Sequence, residues 1–456
     1  MKFCIITFGC QMNVCDSSWL HHALLARGWQ PAGEEDADVI LVNTCSVREK
    51  PEQKVYSQLG RLRRHRTRNP GMFVGVGGCV AQQVGEEFWE RFPHVRLVFG
   101  PDGVASVPDS LQRLVREPGL RLSLLDFTEH YQEREMVWDS SGAPAQAFVN
   151  IMQGCDNFCA YCIVPYTRGR QKSRPSRSVL QECRRLAAGG VKEITLLGQN
   201  VNSYGQDARG DGTAFAELLR EVCSIPGLER VRFTTSHPKD IDPEVIRAFG
   251  RLPNLCPSLH LPLQSGSNRV LASMGRNYTR EYYLEVVRAL RGARPDITLS
   301  TDIIVGFPGE TEEDLEQTLE LMREAGFDSS FSFKYSDRPG VRAASFPGKI
   351  SEEVKAERLK RVQELQDEMT AASLSRLENT AVRVLTEGPG GGPHGNAGVW
   401  RGREEGGRVV NFRAPDHVDL TGRLVRVGIR EAKKHSVFGE VLDCDDRDEN
   451  IRTSAG

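Results

Sequence analysis

Twice along this chain, short apolar runs alternate with stretches of helical period. That alternation restricts the fold to parallel sheets with crossover helices. In the first 115 residues, strands are expected at 3–7, 39–43, 72–76 and 96–99. Helical patterns separate them at 16–27, 48–66 and 80–91, the first opened by Asp16 as N-cap and stopped by Gly28. The alternation resumes with strands expected at 148–152, 193–197, 231–235, 259–263, 298–305 and 331–335. Six such units make a sheet that can curl into a partial barrel, with its active site at the C-terminal strand ends. Between the two regions, residues 116–145 carry no strong period and read as a tail and linker around Pro118-Gly119 and 140–144. One long helical pattern covers 351–377. Short β-like runs follow at 382–385, 398–400, 409–412 and 424–429, interrupted by a glycine-rich stretch at 388–393, and predict a small antiparallel barrel. The tail beyond Leu442 is acidic.

Cysteines fall at telling places in this frame. Cys10, Cys45 and Cys79 each follow one of the first three strands, so three successive loops bring them to one sheet edge, where ligands bind. A single such cysteine would mean little; three in equivalent places suggest a shared metal site, against the alternative of coincident loop residues. A second set, Cys155, Cys159 and Cys162, follows the first strand of the barrel. Its gaps of three and two residues differ from a ferredoxin run, and a zinc site prefers a two-plus-two arrangement. Three thiolates on one loop can hold three corners of a cubane iron–sulfur cluster and leave the fourth iron open to a small molecule. This layout resembles that of radical S-adenosylmethionine (SAM) enzymes. Cys4, Cys183 and Cys223 lie inside apolar patterns and read as buried; Cys15, Cys256 and Cys444 have no ligand-like company.

The formal net charge is −2, so nucleic-acid binding must come from local patches. Two such patches are Arg61, Arg63, Arg64, Arg66 and Arg68, and Arg168, Arg170, Lys172, Arg174 and Arg177. Solvated faces are the ordinary reading of such runs, but the second adjoins the cysteine loop, which makes Arg168, Arg170, Lys172 and Arg174 the expected nucleic-acid contacts. No apolar run reaches membrane length, and twelve cysteines without a secretion signal argue for a reducing, cytoplasmic setting with no membrane partner.

Local words carry a more specific resemblance. Gly9-Cys10-Gln11-Met12-Asn13, Asn43-Thr44-Cys45-Ser46-Val47-Arg48-Glu49-Lys50, Gly77-Gly78-Cys79-Val80-Ala81, Val164-Pro165-Tyr166-Thr167-Arg168-Gly169 and Phe233-Thr234-Thr235-Ser236-His237-Pro238 resemble the methylthiotransferase family of radical SAM enzymes. Gln11-Met12 after the first cysteine resembles the branch that modifies dimethylallylated adenosine in tRNA. The sister branches, acting on threonylcarbamoyl-adenosine or on a ribosomal-protein aspartate, have lysine or proline–lysine there and are the alternatives. A different class, a two-cluster electron carrier, would need two coordinatively closed clusters.

The resemblance implies an N-terminal α/β domain over 1–130 with an auxiliary 4Fe-4S cluster. It implies a radical SAM (β/α)6 TIM-like core over 145–376, an OB-like TRAM domain over 378–443 and an acidic tail over 444–456. It implies a transferase that methylthiolates carbon 2 of N6-(dimethylallyl)adenosine beside the anticodon, at position 37. The cofactors would be SAM and two 4Fe-4S clusters, on Cys10, Cys45 and Cys79 and on Cys155, Cys159 and Cys162. No side chain is assigned a catalytic role, because the chemistry belongs to the cofactors. SAM contacts are expected from Tyr161, Gly198, Gln199, Ser236 and Gln264. Ordinary core packing is the other reading of Tyr161, and Gln199-Asn200 replaces the usual acidic ending. Partners would be tRNA, a flavodoxin- or ferredoxin-like low-potential electron donor and a sulfur source. His237, Ser265 and Asp302 are further strand-end residues, and Val305-Gly306-Phe307-Pro308-Gly309-Glu310 either faces SAM or turns into the helix near Thr311. Reconstituted protein should hold about eight irons, and the triple alanine variant of Cys155, Cys159 and Cys162 about four, by iron assay and electron paramagnetic resonance. A wild type with one cluster would count against the two-set reading.

Overall fold

The computed structural model describes residues 1–46, 51–134, 144–207, 210–390, 398–415 and 418–444. The motif residues Val47, Arg48, Glu49 and Lys50, the linker residues 140–143, the stretch 391–393 and the tail from 445 lie outside the described residues.

The N-terminal domain is a six-stranded parallel sheet. Its order is Gln30–Pro31, Lys2–Thr7, Val39–Thr44, Phe73–Gly78, Val95–Phe99 and Leu122–Leu124. Val39–Thr44 and Phe73–Gly78 are buried along their whole length, which is why both read as unbroken apolar runs. Glycine enters the second because a Cβ at Gly77 would stand 2.0 Å from the Phe99 ring. Strand order reverses between Lys2–Thr7 and Val39–Thr44, the kind of switch point at which open parallel sheets bind ligands. The loops leaving those two strands carry Cys10 and Cys45.

Three expectations are corrected. The first helix is Gln11–Leu25 with Cys10 as N-cap, so it starts well before Asp16. Asp16 is buried within it and pairs with Arg134 at 2.6 Å, a tertiary partner that no local pattern announces. The helix expected over 80–91 is two, Cys79–Val84 and Glu87–Arg91, separated at Gly85 with φ +65°. Residues 116–134 do more than link: Leu122–Leu124 completes the sheet, in a strand too short to show a period.

The second domain is a parallel partial barrel. Its strands run Gln146–Asn150, Glu193–Leu197, Arg230–Thr234, Ser258–His260, Thr298–Val305 and Ser329–Lys334, the middle two joined through a bridge between Val231 and Leu255. Helices Ser176–Ala188, Phe215–Cys223, Pro243–Arg251, Arg280–Ala293 and Glu312–Ala325 cover its outer face and share one core with Val149, Leu196, Val231, Leu259 and Ile303. The barrel stays open between its first and last strands. The N-terminal helix Gln11–Leu25 packs on the first, and the long helix Glu352–Ser375 on the last.

The C-terminal module is a closed five-stranded barrel in the order Ala381–Pro389, Val399–Glu404, Val409–Arg413, Val437–Cys444 and Leu424–Ala432. Val437–Cys444 is a strand beyond the four expected, and its pairing with Val409–Arg413 is parallel while the others are antiparallel. Gly388 and Pro389 belong to the first strand and not to a separating loop. The module docks on the N-terminal strand ends of the large barrel, opposite the cysteine loop. Arg230 there donates to the Arg403 carbonyl at 2.9 Å and the Arg383 carbonyl at 2.6 Å, and Thr298 Oγ1 to the Gly406 carbonyl at 2.6 Å.

A buried ion pair fastens the first two domains together: Lys172 Nζ donates to Asp102 Oδ2 at 2.5 Å, with both side chains almost wholly buried. Removing the carboxylate strands an ammonium away from water. Asp102→Ala should therefore destabilise the full chain by about 3–5 kcal/mol in urea unfolding, and Asp102→Asn by less. An unchanged midpoint for Asp102→Ala would mean that water reaches Lys172.

Candidate metal centres at the domain interface

Asn13 and Thr44 bring the first three cysteines together. Asn13 Nδ2 donates to the Phe8 carbonyl at 3.0 Å and the Thr44 carbonyl at 2.8 Å, tying the Cys10 loop to the Cys45 loop. Thr44 Oγ1 donates to the Gly77 carbonyl at 2.5 Å and accepts from the Ala81 amide at 3.4 Å, tying the Cys45 loop to the Cys79 loop. Asn43 Nδ2 adds a bond to the Asn13 carbonyl at 3.1 Å. The loops then lie so close that a Cβ on Gly9, at φ +116°, would stand 2.0 Å from Cys45 Cβ. The Cys10 and Cys45 thiols are hydrogen-bonded to each other, and that bond, with the Arg168 charge, outweighs burial and holds Cys10 down to about 5. The thiolate is the form that binds metal.

The second set sits on a loop closed at its base. Gly154, at φ +81°, lies against the Gly169 and Arg170 carbonyls, and the Cys155 amide donates to the Gly169 carbonyl at 3.3 Å. Ala160 donates to the Met274 carbonyl at 2.8 Å, and its own carbonyl accepts from Ala343 at 2.9 Å. Burial pushes the Cys155 thiol up to about 11 and the Cys162 thiol to about 12, so metal binding there must release protons. Cys159 is approached by Arg276 NH1 at 3.5 Å and His237 Nε2 at 4.0 Å. Burial, then the Arg276 and Lys239 charges, hold His237 down to about 2, so its imidazole is neutral. Its Nδ1 accepts from the Lys239 amide at 3.3 Å, which leaves the Nε2 proton facing the sulfur.

The two sets face each other across the domain boundary. Arg168, just beyond the second set, donates to Asn13 Oδ1 at 2.9 Å and hydrogen-bonds Cys79. Gln199 accepts from the Gly154 amide at 2.6 Å and points its amide nitrogen at Met12 Sδ. Arg338, past the last barrel strand, donates to the Ser46 carbonyl next to Cys45. Each set thus has three thiols and one buried guanidinium, a fit to an anionic cluster. Among the described residues no three His, Cys, Asp or Glu side chains close on one ion. Thiols on separate corners of a cubane stand farther apart than ligands of a single zinc.

Several expected contacts are reassigned. Arg168, Lys172 and Arg174 are buried and turned inward, Arg174 to Glu182 and Glu133, so they are not free for phosphate; Arg170 is exposed but bonded to Asp156 at 2.9 Å. Gly198 has its amide and carbonyl bonded to Thr234 and Thr235, and Met152 fills the space beside it, so it serves packing. Gln199 joins the two domains as described. Tyr161 packs with Met274, Phe307 and Tyr335, and its hydroxyl accepts from Arg276 at 3.4 Å. Ser236 is buried and its Oγ meets no protein partner, as does Thr235 Oγ1, an arrangement suited to a polar ligand. Gln264, at φ +73°, is held through its backbone by Asp302 and Ile304. Ser265 is buried against Thr318, and Asp302 lies within its strand, 3.5 Å from His260, instead of at the strand end. The 305–310 word is a turn: Glu310 binds the Gly306 amide and Arg358, and a Thr311–Asp314 capping box starts the helix. Arg276 escaped the sequence reading, because nothing in its local context distinguishes it, and Asn13 and Thr44, although inside two of the motif words, were given no role there.

Family models match the Radical SAM superfamily over residues 149–322 and the Uncharacterized protein family UPF0004 over residues 2–100. The fold is similar to a radical S-adenosylmethionine methyltransferase, TsrM, from Kitasatospora setae, solved with cobalamin and a [4Fe-4S] cluster bound. The TM-score is 0.56 at 15% identity, over 75% of this chain and 74% of that one. Residues 149–322 thus carry both the sequence pattern and the fold of a radical SAM domain. A relative from Nitratidesulfovibrio vulgaris is 59% identical over 438 residues, 96% of this chain and 98% of its own length; one from Geobacter metallireducens is 48% identical over 96% and 97%. Both are tRNA-2-methylthio-N(6)-dimethylallyladenosine synthases, and the chain belongs to their family.

Crowding at Gly9 supplies a test that spares every cysteine. Gly9→Ala should displace Cys45 and lower reconstituted iron from about eight to about four per chain, with the barrel cluster's signal intact. Full iron content in Gly9→Ala would show that the N-terminal loops can part without loss.

Proposed function

We propose that this chain methylthiolates carbon 2 of N6-(dimethylallyl)adenosine in the anticodon loop of tRNA. The observation that carries the reading is the juxtaposition of two three-thiol sets across the Asn13–Arg168 contact, in a chain of this family. When bound, the two 4Fe-4S clusters supply what no side chain here can: reductive cleavage of SAM at the barrel set and sulfur for the new bond at the N-terminal set.

The chain's own residues prepare that chemistry. Asn13, Asn43 and Thr44 hold the first set to one geometry. Arg276 and the neutral His237 present N–H groups to Cys159, a disposition that tunes a cluster through its sulfurs. Ser236 is the expected SAM contact that the packing leaves available. The substrate adenosine lies in a single-stranded loop, from which a base is splayed at modest cost. A flavodoxin- or ferredoxin-like donor would provide the electrons, and an external sulfur source would restore the sulfur. The reaction belongs in the cytoplasm with its tRNA; among the described residues no helix is long and apolar enough to cross a membrane. The C-terminal module supplies grip on parts of the tRNA away from the reacting base.

Nucleoside analysis of tRNA from cells lacking the gene tests the substrate. Loss of the 2-methylthio group with retention of the dimethylallyl group is expected; loss from threonylcarbamoyl-adenosine instead would overturn it. Division of labour between the sets is tested with Cys45→Ala. This variant should still form deoxyadenosine from SAM but no methylthiolated nucleoside, both read in one reaction. Loss of both products with the barrel cluster intact would count against the assignment.

A further inference from the structure

Three aromatic side chains stand in the open beside the cysteine loop. Phe127, Phe158 and Tyr166 are 47%, 39% and 47% exposed. They come from two domains: Phe127 follows the last strand of the N-terminal sheet, and the other two lie on or just after the Cys155–Cys162 loop. Phe158 and Tyr166 meet edge to face with centroids 6.3 Å apart, and the Arg170 guanidinium lies 5.0 Å from the Phe158 centroid. Phe127 lies against the segment between Tyr166 and Arg170: a Cβ on Gly169 would stand 3.0 Å from its ring.

The loop geometry keeps these rings outside. Phe158 has φ +46°, a conformation a bulky residue adopts when its surroundings impose it. On one side Asn157 is tied to Asp240 at 3.2 Å, and on the other Cys159 is buried beside Arg276. Between two inward anchors, the ring of Phe158 turns to solvent. Exposed apolar rings grouped beside a reactive loop mark a surface that something covers.

The geometry points to an RNA stacking surface: Phe127, Phe158 and Tyr166, with Arg170, receive unpaired bases next to the reacting adenosine. This rests on the tRNA reading above and names the surface that takes the loop. The three buried cations of the same stretch are spent on Asn13, Asp102 and Glu182, so phosphate neutralisation is not what this face offers. What it offers is ring faces and a guanidinium plane. Those are the groups that hold single-stranded bases irrespective of sequence, and a paired stem shows them no free base. The surface also runs directly into the loop that carries Cys155, Cys159 and Cys162, where the base has to arrive.

The test uses the reconstituted full chain, a dimethylallylated anticodon stem-loop RNA and a blunt RNA duplex of equal length, at several salt concentrations. Tyr166→Ala and Phe127→Ala are the main variants, since neither adjoins a cysteine; Phe158→Leu is the third. Iron content and thermal melting confirm that each variant is intact. Each ring lost should weaken stem-loop binding roughly tenfold while leaving the salt slope and duplex binding unchanged, because the rings carry no charge. Unchanged stem-loop affinity in intact Tyr166→Ala and Phe127→Ala overturns the inference while the tRNA reading stands. Equal losses for duplex and stem-loop overturn it too, since stacking needs free bases. A dimer of the wild type that Tyr166→Ala dissociates, with RNA binding untouched, assigns the patch to a second copy and also overturns it. A wild type that binds no stem-loop at all removes the tRNA reading itself.

Discussion

Arg168 begins on the barrel side of the molecule and ends on the other. Its guanidinium reaches Asn13 Oδ1 at 2.9 Å, and Asn13 in turn holds the Phe8 and Thr44 carbonyls. One buried cation therefore fixes the second domain's cysteine loop against the joint where two loops of the first domain meet. The cost of burying that charge is large unless it is compensated, and its surroundings supply the compensation through Cys79, Cys10 and Asp16. The pairing works in both directions. A Cys10 thiolate gains from a nearby cation in a dry interface, and the cation gains from the thiolate.

Placement of the other charges follows the same logic. Lys172, once paired with Asp102, becomes part of the joint between domains, while Arg174 pairs within the barrel with Glu182 and with Glu133 of the connecting segment. Arg230 and Arg232 do similar work at the opposite end of the barrel, where they meet Glu193 and the backbone of the C-terminal module. The large barrel is thus held at both ends by buried guanidinium groups. The cysteine loop lies at the end where the strands finish, and the small barrel docks on the far end.

Much of this was legible in the residues. Strands that are buried on both faces, such as Val39–Thr44, cannot hide from an apolar-run reading, and Glu193–Leu197 and Thr298–Val305 were placed to the residue. Strand–turn–cysteine spacing was enough to bring Cys10, Cys45 and Cys79 to one edge. What escaped has a common cause. Leu122–Leu124 and Gln30–Pro31 are too short for a period, and Val437–Cys444 is broken by Gly439 and runs into the acidic tail. Asp16 looked like a cap because Asp commonly caps, and only Arg134, distant in sequence, explains its burial.

The sequence alone determined the two parallel-sheet domains, the small β-barrel and the loops on which the six cysteines sit, because hydrophobic period and residue spacing are local quantities. Tertiary structure alone decided which charges face solvent. Arg168, Lys172 and Arg174 look like a basic surface when read along the chain, and they are buried because Asn13, Asp102 and Glu133, distant in sequence, and Glu182 of the following helix meet them. It also decided that Phe127, Phe158 and Tyr166 stand outside the core. Burial depends on what else arrives at the same place, and a one-dimensional pattern carries no record of that.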